Sequence, residues 1–280
     1  TRTGQVELIE VLGDFGRLPR DAEQNCAGVV ARDVLNRFGD SSMGLRLRLR
    51  KGLPLGSGLG SSAASGVAAA LATASLIDPT ISKNDLLDSC REGERLATGS
   101  PHPDNAAPSL LGGFVACIPR GEEAIEVVAL TMASELVFVC VKPDFSVSTQ
   151  MARERVPKNI TMADCVANMG NLAGLVSALG SGDMDLLGRC LEDRLATPYR
   201  APLIDGYDEV TEAARKAGAI GAGISGSGPT LFAVTANRLV AQEVQHAMVS
   251  AFERRGHSCL SIVSEVDPVG ARLEAEFPTS

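Results

Sequence analysis

The sequence has few of the residues from which metal centres and disulfide frameworks are built. It contains three histidines, and its seven cysteines are scattered without a C-x-x-C pair or a Cys/His metal spacing. Zinc sites need such clusters, and a disulfide framework needs an even set of paired cysteines. We therefore expect reduced cysteines in the core, a reducing compartment, and no metal site made of histidine or cysteine.

Basic charge and long apolar runs are scarce as well. The 280 residues carry a net charge of −8, whereas a protein that binds nucleic acid needs a clustered basic surface. Glycine, serine or charged residues interrupt every apolar stretch before the roughly 20 residues that a membrane span needs. The composition thus predicts neither a nucleic-acid partner nor a membrane span. With 45% hydrophobic residues, it predicts a soluble, enzyme-sized chain of two domains.

The one basic cluster is RLRLRK at residues 46–51. Its arginines alternate with leucine, which predicts a half-exposed strand with a solvated basic face. The chain begins at Thr1 without a methionine and without a signal-like or transit-like segment. We expect a cytoplasmic protein, or one of the plastid stroma if the source is photosynthetic.

The most informative stretch is KGLPLGSGLGSSAA at residues 51–64, which an alanine-rich run follows. Pro54 fixes one φ angle, and the alternate glycines after it permit positive φ. Ser61 and Ser62 are candidate helix N-caps, and the alanines have high helix propensity. A glycine loop that opens onto a helix N-terminus presents N–H donors and partial positive charge, both of which favour a phosphate group.

An ordinary Gly/Ser turn before a buried helix is the alternative to a phosphate loop. The proline, the paired serines and the narrow helix favour phosphate binding. The two best-known phosphate loops do not match, because no lysine follows any glycine of the loop, and the third glycine comes one residue too early for G-x-G-x-x-G.

Five stretches resemble a known family. PLGSGLGSSAA resembles the second signature of the small-molecule kinase superfamily that contains galactokinase, homoserine kinase, mevalonate kinase and phosphomevalonate kinase. GAIGAGISGSGPTLF, from Gly218, is similar to the C-terminal glycine signature of that superfamily. NCAG from Asn25, HPDNAAPSLLGGFV from His102 and RAPLIDGY from Arg200 resemble its homoserine kinase branch, plant-like members especially.

The resemblance implies a two-domain α+β fold. Residues 1–130 would form a ribosomal-S5-like α/β domain with a left-handed crossover and a phosphate loop at 54–64, and residues 131–280 a ferredoxin-like domain. Periodicity alone supports only a mixed α/β fold.

The sequence departs from the family at two points. The first signature, a strand and a glycine-containing loop, is absent, and Ser264-Glu265 stands where a basic residue is expected.

The resemblance also implies which residues handle the nucleotide. ATP would be bound by Asn25, Pro54, Gly56, Ser57, Gly58, Leu59, Gly60, Ser61 and Ser62. Mg²⁺ needs oxygen ligands beside phosphates and water. Glu94 stands eleven residues before Asn105, the family spacing for the metal carboxylate, so we prefer it to Glu92, with a hydroxyl of Ser61 or Ser62 as second ligand.

For the substrate, the resemblance implies a zwitterionic amino alcohol. The expected contacts are His102, Asp104, Asn105, Arg200, Ser225 and Gly226. Asp104 would bind the ammonium group, Asn105 would lie near the reacting hydroxyl, and Arg200 would hold the carboxylate through two parallel hydrogen bonds. Considered without the family, Asp104 and Asn105 are also typical turn formers, and Arg200 is equally an ordinary surface arginine.

The expected reaction is ATP- and Mg²⁺-dependent phosphorylation of L-homoserine to O-phospho-L-homoserine, a step of threonine biosynthesis. Asn105, Ser62 and Glu94 would be catalytic, without a strong base, and the family suggests a homodimer. Two alternatives stay open, namely a kinase of another alcohol such as mevalonate and a catalytically inactive nucleotide-binding relative.

Overall fold

The computed structural model describes residues 4–40, 42–121 and 124–274. They form two compact units. The first contains the chain up to Leu55, Gly60–Ala129 and the residues from Asp267 onward. The second contains Gly56–Leu59 and Leu130–Val266. The expected bounds of 1–130 and 131–280 therefore differ from the two units at Gly56–Leu59, which belong to the second unit, and at residues 267–274, which belong to the first.

A parallel pair of strands, β1 (Val6–Leu12) and β2 (Leu45–Arg50), forms one side of the first unit. The helix α1 (Cys26–Phe38) connects them, which makes a β-α-β unit. On β2 the leucines point inward and the arginines outward, as the alternation predicts.

Three more helices pack in the first unit: α2 (Ser61–Ile77), α3 (Leu87–Thr98) and α4 (Ala106–Leu111). Small residues let α1, α2 and α3 approach closely. A Cβ atom at Gly93 would lie 2.7 Å from Cγ2 of Val30, and one at Gly66 would lie 3.1 Å from the same atom. The alanines of α2 are largely buried, so the close packing around this helix leaves room only for small side chains.

The strands β3 (Phe114–Pro119) and β4 (Ile125–Leu130) pair with each other. Residues 267–274 return to the first unit through hydrogen bonds at the end of α4. The Gly113 N–H donates to Asp267 O at 2.8 Å, and the Ala271 N–H donates to Ser109 O at 2.9 Å. These bonds join residues distant in sequence, which is why no local pattern predicted them.

The second unit has a four-stranded antiparallel sheet of β5 (Val137–Pro143), β6 (Gly221–Ile224), β7 (Leu231–Thr235) and β8 (Cys259–Glu265). The strands lie in the order β6-β7-β5-β8. Together with helices between β5 and β6 and between β7 and β8, this order is that of the ferredoxin-like β-α-β-β-α-β fold. The expected two-domain α+β fold is thus confirmed.

The helices of the second unit are α5 (Thr149–Glu154), α6 (Met162–Ser181), α7 (Met184–Cys190), α8 (Thr197–Arg200), α9 (Tyr207–Lys216) and α10 (Arg238–Arg254). The core includes Val139 and Val141 of β5 with Val210 of α9 and Phe252 of α10, all fully buried. Nowhere in the described part of the chain is a helix both long and apolar enough to cross a membrane.

The loop after β1 depends on one buried carboxylate. Arg20 donates to Asp14 through Nη1 at 2.6 Å and Nη2 at 3.2 Å, and the Leu18 N–H donates to it at 3.0 Å. The hydrogen bonds from Arg20 hold the pKa of Asp14 well below its usual range. Since the lowered pKa belongs to the folded state, the stabilisation is present at neutral pH and is lost as pH falls below the unfolded value of about 3.9.

We therefore expect Asp14→Asn to lower the melting temperature at neutral pH. The difference from the wild type should shrink as pH falls below about 4, where the unfolded wild-type chain takes up a proton. Thermal unfolding followed by circular dichroism over an acid pH series measures this difference. A melting-temperature gap that stays constant through the series would contradict the role given to the ionised Asp14.

Candidate active site

The phosphate loop expected at residues 54–64 has the backbone that its glycines predict. Gly56, Gly58 and Gly60 adopt φ angles of 62°, 80° and 68°. These values lie in the left-handed region, which side chains other than glycine rarely adopt. A Cβ atom at Gly56 would meet nothing within 4 Å, whereas one at Gly58 would lie 2.3 Å from Ser225 O.

Within the second unit, the loop is fixed against the turn between β6 and β7. Ser225 Oγ donates to Gly58 O at 2.9 Å, and the Thr230 N–H donates to Ser57 O at 3.3 Å. Ser57 is buried, and its hydroxyl accepts from the Leu59 N–H at 3.2 Å. The hydrogen bonds of Ser57 and Ser225 thus hold the loop backbone in place.

The expected serine N-caps at the start of α2 are wrong. The N-cap is Gly60, and α2 begins at Ser61. Ser61 Oγ donates to Leu53 O at 3.0 Å, while Ser62 Oγ lies 2.9 Å from Cys26 Sγ. Because Gly60 has no side chain to cap the first turn, the N–H groups of that turn are available to an anion.

Lys51 lies beside the start of α2, whereas the sequence analysis counted it only as the last residue of the basic cluster at 46–51. Its ammonium group donates to Ser61 O and to Ser65 Oγ, both in the first turns of α2. Burial lowers the pKa of Lys51 from its usual value. The signal was present in the sequence, because position 51 continues the inward-facing register of Leu47 and Leu49 rather than the outward register of the arginines.

The two glutamates considered for the metal differ in their surroundings. Glu94 is buried, with 4% of its surface exposed. Glu92 is partly exposed and accepts from Arg95 Nε at 3.2 Å. Burial raises the pKa of the Cys90 thiol to about 12, and the charge of Glu94 contributes to this shift. Of the two, Glu94 is therefore the carboxylate that is shielded from solvent.

Glu94 also lies close to the start of α2. Burial raises the pKa of Cys26, and the negative charge of Glu94 adds to this rise while Lys51 opposes it. Since Cys26 contacts Ser62, the thiol lies among a carboxylate, an ammonium group and a hydroxyl. No cluster of three or more histidine, cysteine or acidic side chains suited to a metal occurs among the residues that the structure describes.

Asn105 lies against the loop exit. A Cβ atom at Gly60 would be 3.3 Å from Asn105 Oδ1, and the Asn105 side chain does not cap α4. His102 and Asp104 precede it and are exposed. Burial raises the pKa of Cys117 on β3, and the charge of Asp104 adds to this rise. The first unit thus brings Asn105 to the start of α2, with Asp104 exposed beside it.

Arg200 occupies a fixed position in the second unit. Its Nη1 donates to Gly226 O at 3.0 Å, and its Nε donates to Ala152 O at 3.3 Å. These two bonds use two of the five donors of a guanidinium group. The side chain is therefore held beside the glycine turn that contacts Gly58.

Asn25 caps the N-terminus of α1. It is buried at the N-cap of α1, where its Oδ1 accepts from the Ala27 N–H at 3.1 Å and its Nδ2 donates to Pro19 O at 2.9 Å. A capping role follows from these bonds. The expected contact of Asn25 with the nucleotide stays a prediction.

Glu265, which stands where the family carries a basic residue, is on the surface at the end of β8. Its carboxylate accepts from Arg238 through Nε at 3.2 Å and Nη2 at 3.1 Å. Arg272 instead pairs with Asp267 in the first unit. The negative charge of Glu265 is thus compensated by a neighbour within its own unit.

The comparisons with known proteins agree with this geometry. Residues 25–113 match the family of the GHMP kinases N terminal domain, and residues 175–254 match the GHMP kinases C terminal domain. The homoserine kinase of Arabidopsis thaliana is 41% identical over 276 residues, which are 97% of this chain and 74% of that protein. The homoserine kinase of Chlorobaculum tepidum is 39% identical over 278 residues, 96% of this chain and 84% of that protein.

A solved structure gives the same result. The crystal structure of homoserine kinase from Cytophaga hutchinsonii superimposes with a TM-score of 0.90 at 41% sequence identity, covering 95% of this chain and 83% of that one. Two family domains and similarity over nearly the whole of this chain therefore point to one group of enzymes. The chain is a kinase and belongs to the homoserine kinase family of the GHMP kinases.

Proposed function

We propose that this kinase transfers the γ-phosphoryl group of ATP to the side-chain hydroxyl of L-homoserine, giving O-phospho-L-homoserine and ADP. The observation that carries the proposal is the glycine loop that ends at the uncapped start of α2, with Asn105 beside it. The choice of homoserine rests on relatives of that name that are about 40% identical over nearly the whole chain.

Phosphoryl transfer depends mainly on alignment and charge stabilisation. The first-turn amides of α2, which no side chain caps, fit the phosphates of ATP. The partial positive charge of the helix N-terminus and the ammonium group of Lys51 favour the same anion. The homoserine oxygen forms the new P–O bond as the bond to the ADP oxygen breaks, and the hydroxyl proton passes to solvent.

Glu94 fits a magnesium ion because it is a buried carboxylate whose charge acts on Cys26, the thiol that contacts Ser62. Mg²⁺ bound with ATP would neutralise phosphate charge. We assign Glu94 as its main protein ligand, with Ser61 or Ser62 as the second. Ser61 Oγ donates its hydrogen bond to Leu53 O, so the lone pairs of the oxygen can still accept a hydrogen bond or bind a metal ion.

For the substrate, we assign Asp104 to the ammonium group, Asn105 to the reacting hydroxyl and Arg200 to the carboxylate. Asp104 is exposed, and Asn105 does not cap its own helix. Arg200 is held by backbone carbonyls and keeps further donors for a carboxylate. His102, Ser225 and Gly226 would complete the contacts, and the first of these is exposed.

We expect Asp104→Asn to raise the KM for homoserine by roughly 10- to 100-fold, because a hydrogen bond to a charged group contributes about 1.5–3 kcal/mol. The kcat and the KM for ATP should change little, since Asp104 is assigned to the ammonium group alone. Steady-state kinetics over a homoserine series measures the effect. Glu126→Gln on β4, also an exposed acid of the first unit, is the control, and an equal KM change in both variants would contradict the assignment.

The substrate itself is tested by coupled ADP release with Mg·ATP and homoserine, mevalonate or no acceptor. We expect turnover with homoserine and a background rate with the other two. Turnover with mevalonate alone would assign the enzyme to a different alcohol. ATP binding without turnover under any condition would identify an inactive relative.

A further inference from the structure

A cluster of charged side chains lies where α9 begins and α10 ends. Asp205 is at its centre. Arg255 donates to Asp205 through Nε at 3.1 Å and also through Nη2, and His257 Nε2 lies 2.8 Å from Asp205 Oδ2. Arg255 Nη1 also donates to Glu209 at 2.6 Å. The hydrogen bonds from Arg255, and then that from His257, hold the pKa of Asp205 below its usual value. Asp205 is therefore an ionised carboxylate with two basic partners.

His257 connects this cluster to the end of β5. Its Nδ1 lies 3.4 Å from Asp144 Oδ1, so the imidazole is between two carboxylates. The N–H of Ser258 at 3.2 Å and Ser258 Oγ at 2.8 Å donate to the other oxygen of Asp144. The ring of Phe145 packs edge-on against the imidazole, with the ring centroids 4.9 Å apart. These contacts fix His257, which makes it a firm support for Asp205.

Asp205 and Arg200 belong to one short segment, residues 200–206. The end of α8 and the 3₁₀ turn Ala201–Leu203 follow each other directly in this segment. The Ile204 N–H closes the turn by donating to the carbonyl of its first residue at 2.9 Å. Because successive hydrogen-bonded turns move together, a displacement at one end of the segment reaches the other.

The segment is attached to the second unit at three places. At its start, Arg200 donates to the glycine turn and to α5. In its middle, Ile204 is buried, and its Cδ1 would lie 2.9 Å from a Cβ atom at Gly228. At its end, Gly206 has a φ angle of 89°, and a Cβ atom there would lie 2.8 Å from Arg255 Cδ. The segment thus lies between the glycine turn and the charged cluster.

Arg200 depends on this segment for its position. Its guanidinium group is held by two neutral carbonyls, Gly226 O at 3.0 Å and Ala152 O at 3.3 Å. Hydrogen bonds to neutral acceptors are weaker than those to a carboxylate. The charge-assisted bonds of the segment are instead at its other end, on Asp205.

We propose that Asp205 is a positioning residue for the substrate. Its bonds to Arg255 and His257 fix the 200–206 segment, and the fixed segment places Arg200 where it can bind the carboxylate of homoserine. Since surface ion pairs contribute little to stability, the main effect is on substrate affinity and not on folding. This inference rests on the carboxylate-binding role given to Arg200 under the proposed function.

Asp205→Ala tests the proposal. We expect the KM for homoserine to rise roughly 10-fold, because a displaced guanidinium group loses a charged hydrogen bond, while kcat and the KM for ATP stay within about twofold. Steady-state kinetics over homoserine and ATP series measures these constants. Asp208→Ala is the matched control, since Asp208 is an exposed acid in the first turn of α9. An equal rise in both variants, or none in Asp205→Ala, would overturn the proposal.

Asp205→Asn tests whether the hydrogen bonds of this residue matter. Asparagine keeps the size of the side chain and one oxygen that accepts from Arg255 or His257. We expect a KM for homoserine roughly threefold above that of the wild type, because a neutral acceptor forms a weaker bond. Circular dichroism verifies that each variant is folded. A KM as high as that of Asp205→Ala would contradict support through hydrogen bonds.

A double-mutant cycle shows whether Asp205 acts through Arg200. Arg200→Ala alone should lower kcat/KM for homoserine by about 100-fold, since it removes the charged hydrogen bonds to the carboxylate. In that background, Asp205→Ala should change kcat/KM by less than about twofold, because the residue that it positions is gone. A further loss of about 10-fold would overturn this inference alone. An unchanged kcat/KM in Arg200→Ala would refute the role of Arg200 in the proposed function, and this inference with it.

Discussion

Replacing Glu94 by glutamine is expected to lower kcat by roughly 10²- to 10³-fold, the range seen when one electrostatic group of an active site is removed. The side chain is buried and lies near the start of α2. Glutamine keeps its size and its oxygen but lacks the charge that a magnesium ion requires. The loss should be partly recovered at higher Mg²⁺, because the variant binds the metal more weakly.

Glu92→Gln is the matched control for this substitution. Glu92 lies on the same helix and pairs with Arg95 on the surface. Its removal should leave kcat within about twofold, since a surface ion pair contributes little. The pKa of the Cys26 thiol is a second readout. Burial raises this pKa, and the charge of Glu94 raises it further. That pKa should fall in Glu94→Gln alone. Equal kcat losses in both variants would refute the assignment of Glu94 to the metal.

Substituting Gly58 by alanine should lower kcat/KM for ATP by at least about 100-fold. The new Cβ atom would lie 2.3 Å from Ser225 O, and the φ angle of 80° is unfavourable for alanine. Because the clash is with backbone, the loop must leave the turn that holds it. The sheet of the second unit does not depend on this loop, so the protein should remain folded.

Gly56→Ala separates the clash from the backbone strain. Gly56 has a comparable φ of 62°, but its Cβ atom would meet nothing within 4 Å. Strain alone costs about 1–2 kcal/mol, which corresponds to a loss of roughly 5- to 30-fold. Initial-rate kinetics over an ATP series compares the two variants. If Gly56→Ala were as impaired as Gly58→Ala, the contact with Ser225 would have no separate role.

The sequence was sufficient to predict the backbone of the glycine loop and the helix after it, but not how that helix is capped. Alternate glycines and an alanine-rich run determine a positive-φ loop and a helix through local preferences. The hydroxyls of Ser61 and Ser62 were assigned to capping for the same local reason. In the structure they bond instead to Leu53 and Cys26. The tertiary contact of Cys26 could not be read from residues 54–64.

Non-local contacts also explain the other differences. Residues 267–274 return to the first unit through bonds to Ser109 and Gly113, far away in sequence. The capping of α1 by Asn25 became evident only from its bonds to Pro19 and Ala27. Lys51, by contrast, could have been found, since its inward register follows from the strand period. Short motifs thus indicated the chemistry, whereas the partners of each side chain required the fold.

The most direct test is the product of one reaction. The kinase, Mg·ATP and L-homoserine are incubated, and phosphorus NMR and ADP release are followed together, with Glu94→Gln in parallel. We predict a phosphomonoester on the homoserine side-chain oxygen, formed in equal amount to ADP, and a much slower reaction in the variant. ADP accompanied by inorganic phosphate, or no ADP at all, would contradict phosphoryl transfer to homoserine.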